Sequence, residues 1–260
     1  MHIDQAIVRS TILVSLDAWA FSLLIKKHML PYLDGVSSFL GMHILLNAVL
    51  VPLGFFYPLT NLYAVAFYGL YGLLYCASLY LVRSIWKVGL EKYPGFQRLG
   101  IMAMAFTVVA LSLFVNIIVS QSPGVSNADN WVNMWFALMM RCLNFVIAGL
   151  LLMFFALAST FRVGIGRTVR NVAGSLFAYS IVRALLQTWL YHRQYLGSQA
   201  YEWVWSMSTG VMVFSWGWTI RRHHANDPSE IPPLFGTSRS RETVELQAQA
   251  LNRQLTRLIG

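Results

Sequence analysis

The side chains that could do chemistry in this chain lie inside long apolar runs, where each polar group needs a partner or water. One set of them falls at a similar distance from the ends of those runs: Asp17, His43, Asn47, Arg141, Asn144, Tyr179, Arg183 and Gln187. A charge at the centre of a membrane helix costs roughly 2.5–3.5 kcal/mol on insertion scales, so these groups should face one another, a ligand or water. We predict that they form one polar layer, which is either a ligand-binding site or a buried polar network.

The charges within this layer do not balance. Two arginines, Arg141 and Arg183, stand against one aspartate, Asp17. We expect Asp17 to form a salt bridge with one arginine, directly or through a water molecule, and the other arginine to point into an outward-facing cavity. A guanidinium placed there would bind a carboxylate or another anionic group. Two alternatives stay open: a structural network that fixes helix packing, and a proton relay through Asp17 and His43.

A stripe of tyrosines runs along the third apolar run. Tyr68, Tyr71 and Tyr75 recur at helical spacing beside Gly69 and Gly72. Because small residues allow helices to approach closely, we interpret the stripe as a packing surface. The alternative is an aromatic wall of a ligand site.

No cofactor, metal ion or catalytic residue is predicted. A retinal Schiff base needs a lysine in the last helix, but Lys26, Lys27, Lys87 and Lys92 all precede it. His43 is the only histidine well inside an apolar run, so a bis-histidine haem site and a histidine-rich zinc site both lack ligands. No nucleophile–base pair is visible, which makes an enzyme the least supported class.

Composition indicates a membrane protein. The 260 residues are 57% hydrophobic and 11% charged, whereas a soluble domain carries about 25% charged residues. The mean hydropathy is +0.56. The net charge of +9 does not indicate nucleic acid binding, because the basic residues lie in short clusters between apolar runs and in the tail. Cys76 and Cys142 fall within apolar runs, so no disulfide is predicted.

The apolar runs predict an all-α membrane domain over residues 1–222. A spanning helix needs about 20 mostly apolar residues. The runs long enough to qualify predict seven helices, at roughly 7–25, 37–57, 62–83, 99–120, 131–158, 171–191 and 202–220. The N-terminus lacks the basic start and short apolar core of a cleaved signal peptide, so the first helix is expected to insert as an uncleaved anchor.

Orientation follows from the basic residues. With seven spans, all but four of the 19 Lys and Arg residues fall on one side, which the positive-inside rule assigns to the cytoplasm. The exceptions are Arg9 and Arg193 on the opposite side, and Arg141 and Arg183 inside helices. We therefore predict an outside N-terminus and a cytoplasmic C-terminus, in a bacterial inner membrane.

The tail divides into two parts. Residues 223–240 are rich in Pro and Ser and indicate a cytoplasmic linker, and residues 241–260 predict an amphipathic helix with Leu251 and Leu255 on its apolar face. Such a helix lies on the membrane or on the protein's own inner loops, or it docks a protein partner. Membrane lipids are the expected partners of the bundle, and a protein partner would bind this helix or the lipid-facing surface.

Three functions are compatible with this organisation. By analogy of shape with heptahelical receptors, the first is a receptor- or sensor-like protein. It would bind a small, anionic or lipid-derived ligand from the outer side and signal through its cytoplasmic face. The second is a non-catalytic subunit of a larger membrane complex, and the third is a carrier or channel.

Overall fold

The chain is all-helical in the part that the computed structural model describes. That part comprises residues 2–57, 60–121, 128–161, 163–193, 199–223, 246 and 249–256. The helices are α1 His2–Lys26, α2 Asp34–Phe56, α3 Asn61–Gly89, α4 Pro94–Ser120, α5 Ala128–Thr160, α6 Arg167–Arg193 and α7 Gln199–Arg221, followed by a short α8 at 249–256. No β-strand occurs within these ranges. The predicted all-α class is confirmed.

Local chemistry explains where several helices begin. Pro94 opens α4, at a position where the missing N–H has no helical acceptor to lose. Thr60 caps α3, because its hydroxyl oxygen accepts a hydrogen bond from the Tyr63 N–H at 3.3 Å. Asp34 lies in the first turn of α2, where a carboxylate is favoured by the helix dipole.

The seven long helices form a closed ring. Each helix packs against the next one along the chain, and α7 packs against α1 to close the ring. α3 also packs against α5 and α6, so it reaches towards the middle of the bundle. The cavity described below lies beside this inner helix.

Glycines set the closest helix contacts. A Cβ atom at Gly35 of α2 would lie 2.7 Å from the Leu81 Cα of α3. Gly100 of α4 lies directly under the Trp86 ring of α3, and Gly217 of α7 under a tryptophan of α1. Small residues of this kind let membrane helices approach until their backbones are nearly in contact.

Five of the helices are long and apolar enough to cross a membrane. They are Ile7–Lys26, Asp34–Phe56, Asn61–Gly89, Pro94–Ser120 and Met134–Thr160. The outer face of α4 carries large apolar side chains that are exposed in the isolated chain, with Phe106 at 76% and Leu113 at 60%. Lipid is the solvent that such a surface requires, so the chain has the properties of a helical membrane protein. α6 and α7 are not among the apolar spans found in the described residues.

The tail returns to the bundle. Asn252 on α8 accepts a hydrogen bond through Oδ1 from the backbone N–H of Gly95, at 2.7 Å. Leu255 of the same helix packs against the main apolar core. The remainder of the predicted tail helix and nearly all of the predicted linker lie outside the described residues.

Candidate functional site

Asp17 and His43 form a buried pair between α1 and α2. The Asp17 carboxylate is 0% exposed, and its Oδ2 lies 2.6 Å from the His43 Nδ1. If the carboxylate is ionised, Nδ1 donates this hydrogen bond, and the bond holds the imidazole ring in one orientation. His43 is further held by stacking on Phe39, at 6.1 Å between ring centroids.

The predicted direct salt bridge between Asp17 and an arginine is wrong. The structure gives the carboxylate a histidine partner instead. The reason is the order of helices in the ring: among the described elements α1 packs against α2 and α7, whereas Arg141 and Arg183 lie on α5 and α6. Position around the ring, which the sequence does not show, therefore decides which residues pair.

Arg183 is buried on α6 and is held by uncharged groups. Arg183 is 4% exposed, and its Nη2 donates a hydrogen bond to the Thr209 hydroxyl at 2.6 Å. The guanidinium lies over the Trp205 ring, 3.1 Å from the centroid, and 4.8 Å from the centroid of Tyr179. A cation covered by aromatic faces in this way gains roughly 2 kcal/mol when it is desolvated. Its Nε is buried without a hydrogen-bond partner.

A second polar cluster joins α3, α5 and α6. The Asn144 amide donates to the Gln187 side-chain oxygen at 3.2 Å and to the Tyr75 hydroxyl at 3.4 Å. It also donates to the Met140 backbone oxygen at 2.9 Å, one turn earlier in α5. Asn144 therefore ties its own helix to two neighbours, as the structural-network interpretation expects.

These groups surround one cavity of about 30 Å³. By the usual space needed for a buried water, this volume has room for two or three water molecules or a small ligand. Of the predicted residues, those that line it are His43, Asn144, Tyr179 and Arg183. Asp17 and Gln187 do not line the cavity, but each forms a hydrogen bond with a residue that does.

The remaining two predicted residues do not reach the cavity. Asn47 donates its amide to the backbone oxygen of His43 at 2.9 Å and so is satisfied within α2. Arg141 lies partly buried on α5 and is not among the described residues that line the cavity. The arginine that reaches the cavity is Arg183.

The structure adds lining residues that the sequence analysis did not choose. Those that carry a polar group are Tyr71, Tyr75 and Ser78 on α3, Ser180 on α6 and Trp205 on α7. For the two tyrosines the packing interpretation was too narrow, because their side of α3 also forms a cavity wall, as the alternative of an aromatic wall expected. Ser180 precedes Arg183 by three residues, and that helical spacing was the signal that could have identified it.

The arrangement places a cation and two unpaired donors on residues that line a small internal space. Oγ of Ser180 and Nε of Arg183 are both buried without partners, and a buried donor left unpaired costs about 1–3 kcal/mol. No group of three or more His, Cys, Asp or Glu that could hold a metal ion occurs among the described residues. Comparisons with protein-family models, curated proteins and solved structures give no match.

Proposed function

We propose that this chain is a receptor- or sensor-like membrane protein that binds a small anionic ligand in the cavity beside Arg183. The observation that supports the proposal most directly is that Arg183 is buried without a counterion among the described residues that it contacts. Its guanidinium is buried and contacts uncharged groups, and one of its N–H donors has no partner. An anion in the cavity would supply both the missing acceptor and the missing charge.

The proposal includes seven spans, with α6 and α7 crossing the membrane. α6 has 27 residues and α7 has 23, which correspond to about 40 and 35 Å of helix against a hydrocarbon core of about 30 Å. Their polar residues Arg183 and Thr209 bond to each other inside the bundle and need not meet lipid. The basic residues favour an outside N-terminus and a cytoplasmic C-terminus, an orientation that fits a bacterial inner membrane.

Signalling would pass to the cytoplasmic face through the helices that line the cavity. α3, α5, α6 and α7 all contribute lining residues, so a ligand that draws Arg183 and Ser180 towards itself changes the packing among them. α8 rests on the start of α4 and is the element that a cytoplasmic partner would contact.

A second candidate is a subunit of a larger membrane complex. The observation in its favour is the apolar outer face of α4, where Phe106, Val109 and Leu113 are all highly exposed. A partner's helix would cover this face as well as lipid does. The buried polar groups would then serve helix packing alone.

Native mass spectrometry of protein purified in mild detergent separates these proposals. We expect the wild type and Arg141→Gln to retain a small anion, and Arg183→Gln to lose it. Arg141 is the matched control because it is also an arginine within the bundle but does not line the cavity. A stoichiometric partner chain together with an empty cavity in the wild type would contradict the receptor proposal and favour the subunit.

A further inference from the structure

Two unpaired donors on α6 define where a ligand would be held. Ser180 is 0% exposed and Arg183 is 4% exposed, and both line the cavity. Oγ of the serine and Nε of the arginine each lack a hydrogen-bond partner. Because the residues are three apart, they lie on the same face of the helix and one turn from each other. A single group that only accepts hydrogen bonds can satisfy both.

The surroundings of the guanidinium limit how that group approaches. Trp205 and Tyr179 lie over the guanidinium, and Nη2 already donates to Thr209. Nε is the buried guanidinium donor without a partner, so a ligand that satisfies it approaches that edge, in or near the guanidinium plane. In-plane hydrogen bonding at a guanidinium edge is the geometry by which arginine recognises carboxylates.

The charges around the cavity and its volume limit which anions could bind there. Arg183 is a single positive charge, and the nearby His43 is paired with the carboxylate of Asp17, which disfavours a dianion such as phosphate or sulfate. The cavity of about 30 Å³ has room for two or three waters, which matches formate or acetate and not an aromatic or lipid-derived acid. Leu74 and Ile147 in its wall provide contacts for a methyl group.

We propose that the ligand is a short-chain monocarboxylate, bound through its carboxylate to Nε of Arg183 and Oγ of Ser180. This inference rests on the proposed function, since it names the ligand of the same cavity. It goes beyond that function by excluding large and doubly charged anions. It also assigns Ser180 a ligand-binding role.

Calorimetric titration of the purified full chain in detergent tests the proposal with sodium formate, acetate, benzoate and sulfate, and with chloride as the salt control. We expect formate and acetate to bind and the other anions not to bind. Ser180→Ala should weaken acetate binding by about tenfold, as expected for the loss of a charge-assisted hydrogen bond. Arg183→Gln should abolish it.

Ser22→Ala is the control for Ser180→Ala. Ser22 is partly buried on α1, its hydroxyl donates to the Trp19 backbone oxygen at 2.8 Å, and it is not among the described residues that line the cavity. Acetate affinity should therefore stay within about twofold of the wild type in Ser22→Ala. Equal effects of the two substitutions would overturn the assignment of Ser180.

The outcomes also separate this inference from the proposed function. Binding of benzoate without acetate, lost in Arg183→Gln, would overturn the size argument and leave the proposed anion site in place. Absence of binding for all the anions would overturn the proposed ligand class. An empty cavity in the native mass spectrum would then contradict the anion site as well.

Discussion

At the scale of single residues, the buried charges of this chain are stabilised in two different ways. Asp17 is held by the imidazole of His43, which is an ionisable partner. Arg183 is held by a hydroxyl and aromatic rings, which cannot neutralise it. In the Asp17–His43 pair, a protonated imidazole would balance the charge of the carboxylate. The contacts of Arg183 are all uncharged, so they leave a net positive charge at the cavity.

The Asp17–His43 pair yields a stability prediction. His43→Gln leaves the carboxylate buried without an ionisable partner, and breaking one side of a buried pair costs about 3–5 kcal/mol. Asp17→Asn should cost less, because the amide oxygen still accepts the hydrogen bond from Nδ1 and no buried charge remains. Thermal unfolding in detergent measures both variants.

Asn47→Ala is the control for this comparison. Asn47 lies one turn from His43 on α2, and its amide bonds within its own helix. Its replacement should change the free energy of unfolding by about 1 kcal/mol or less. A His43→Gln variant as stable as Asn47→Ala would contradict the role given to the pair.

The sequence predicted at this scale that several of these residues lie near one another, but it did not predict which of them pair. Residue number along a helix measures distance, so Asp17, His43 and Arg183 could be assigned to one layer from the sequence. Which helix faces which around the ring depends on packing contacts far apart in the chain. Ser180 was missed because a serine inside a helix usually bonds to its own backbone.

At the scale of the helices, Gly35 on α2 allows α2 and α3 to pack in close contact. Gly35 meets the Leu81 Cα and the Ser84 Cβ, and a backbone atom cannot move aside as a flexible side chain can. Gly35→Ala should therefore separate the two helices and cost about 1–3 kcal/mol, as other overpacking substitutions do. Thermal unfolding in detergent is the measurement.

Gly41→Ala on the same helix is the matched control. A Cβ at this position meets nothing within 4 Å, and alanine in place of glycine favours a helix by about 0.5–1 kcal/mol. We expect Gly41→Ala to retain or raise the melting temperature while Gly35→Ala lowers it. Equal destabilisation by both would show that the α2–α3 contact is not close-packed.

The positions of the long helices were also predictable, because an apolar run of spanning length satisfies its backbone hydrogen bonds in a membrane by forming a helix. Hydropathy alone recognises five of them. In the residues that the structure describes, α6 and α7 are not among these spans, and they carry Arg183, Gln187 and Thr209. Arg183 lines the cavity, and Gln187 and Thr209 each bond to a residue that lines it. The polar groups in and around the cavity thus also lower the apolar character of these two helices.

At the scale of the whole molecule, the bundle is a ring closed by α1 and α7. Besides their packed faces, the two helices are joined near their N-terminal ends by an ion pair between Arg9 and Glu202. In the proposed orientation the Arg9 end of α1 is outside. Helices that run in alternate directions would then bring Glu202, at the start of α7, to the same side.

The central claim is that α6 and α7 cross the membrane, so that their polar side chains enclose a site within it. Labelling of single cysteines in intact cells with a membrane-impermeant maleimide tests this most directly, with Cys76 and Cys142 replaced by alanine. Asp129→Cys and Arg193→Cys should label from outside. The cysteines that should label only after permeabilisation are Lys26→Cys, Lys87→Cys, Arg167→Cys and Arg221→Cys. Labelling of Arg167→Cys and Arg193→Cys from the same side would contradict the account, because the two ends of α6 would then lie on one face of the membrane.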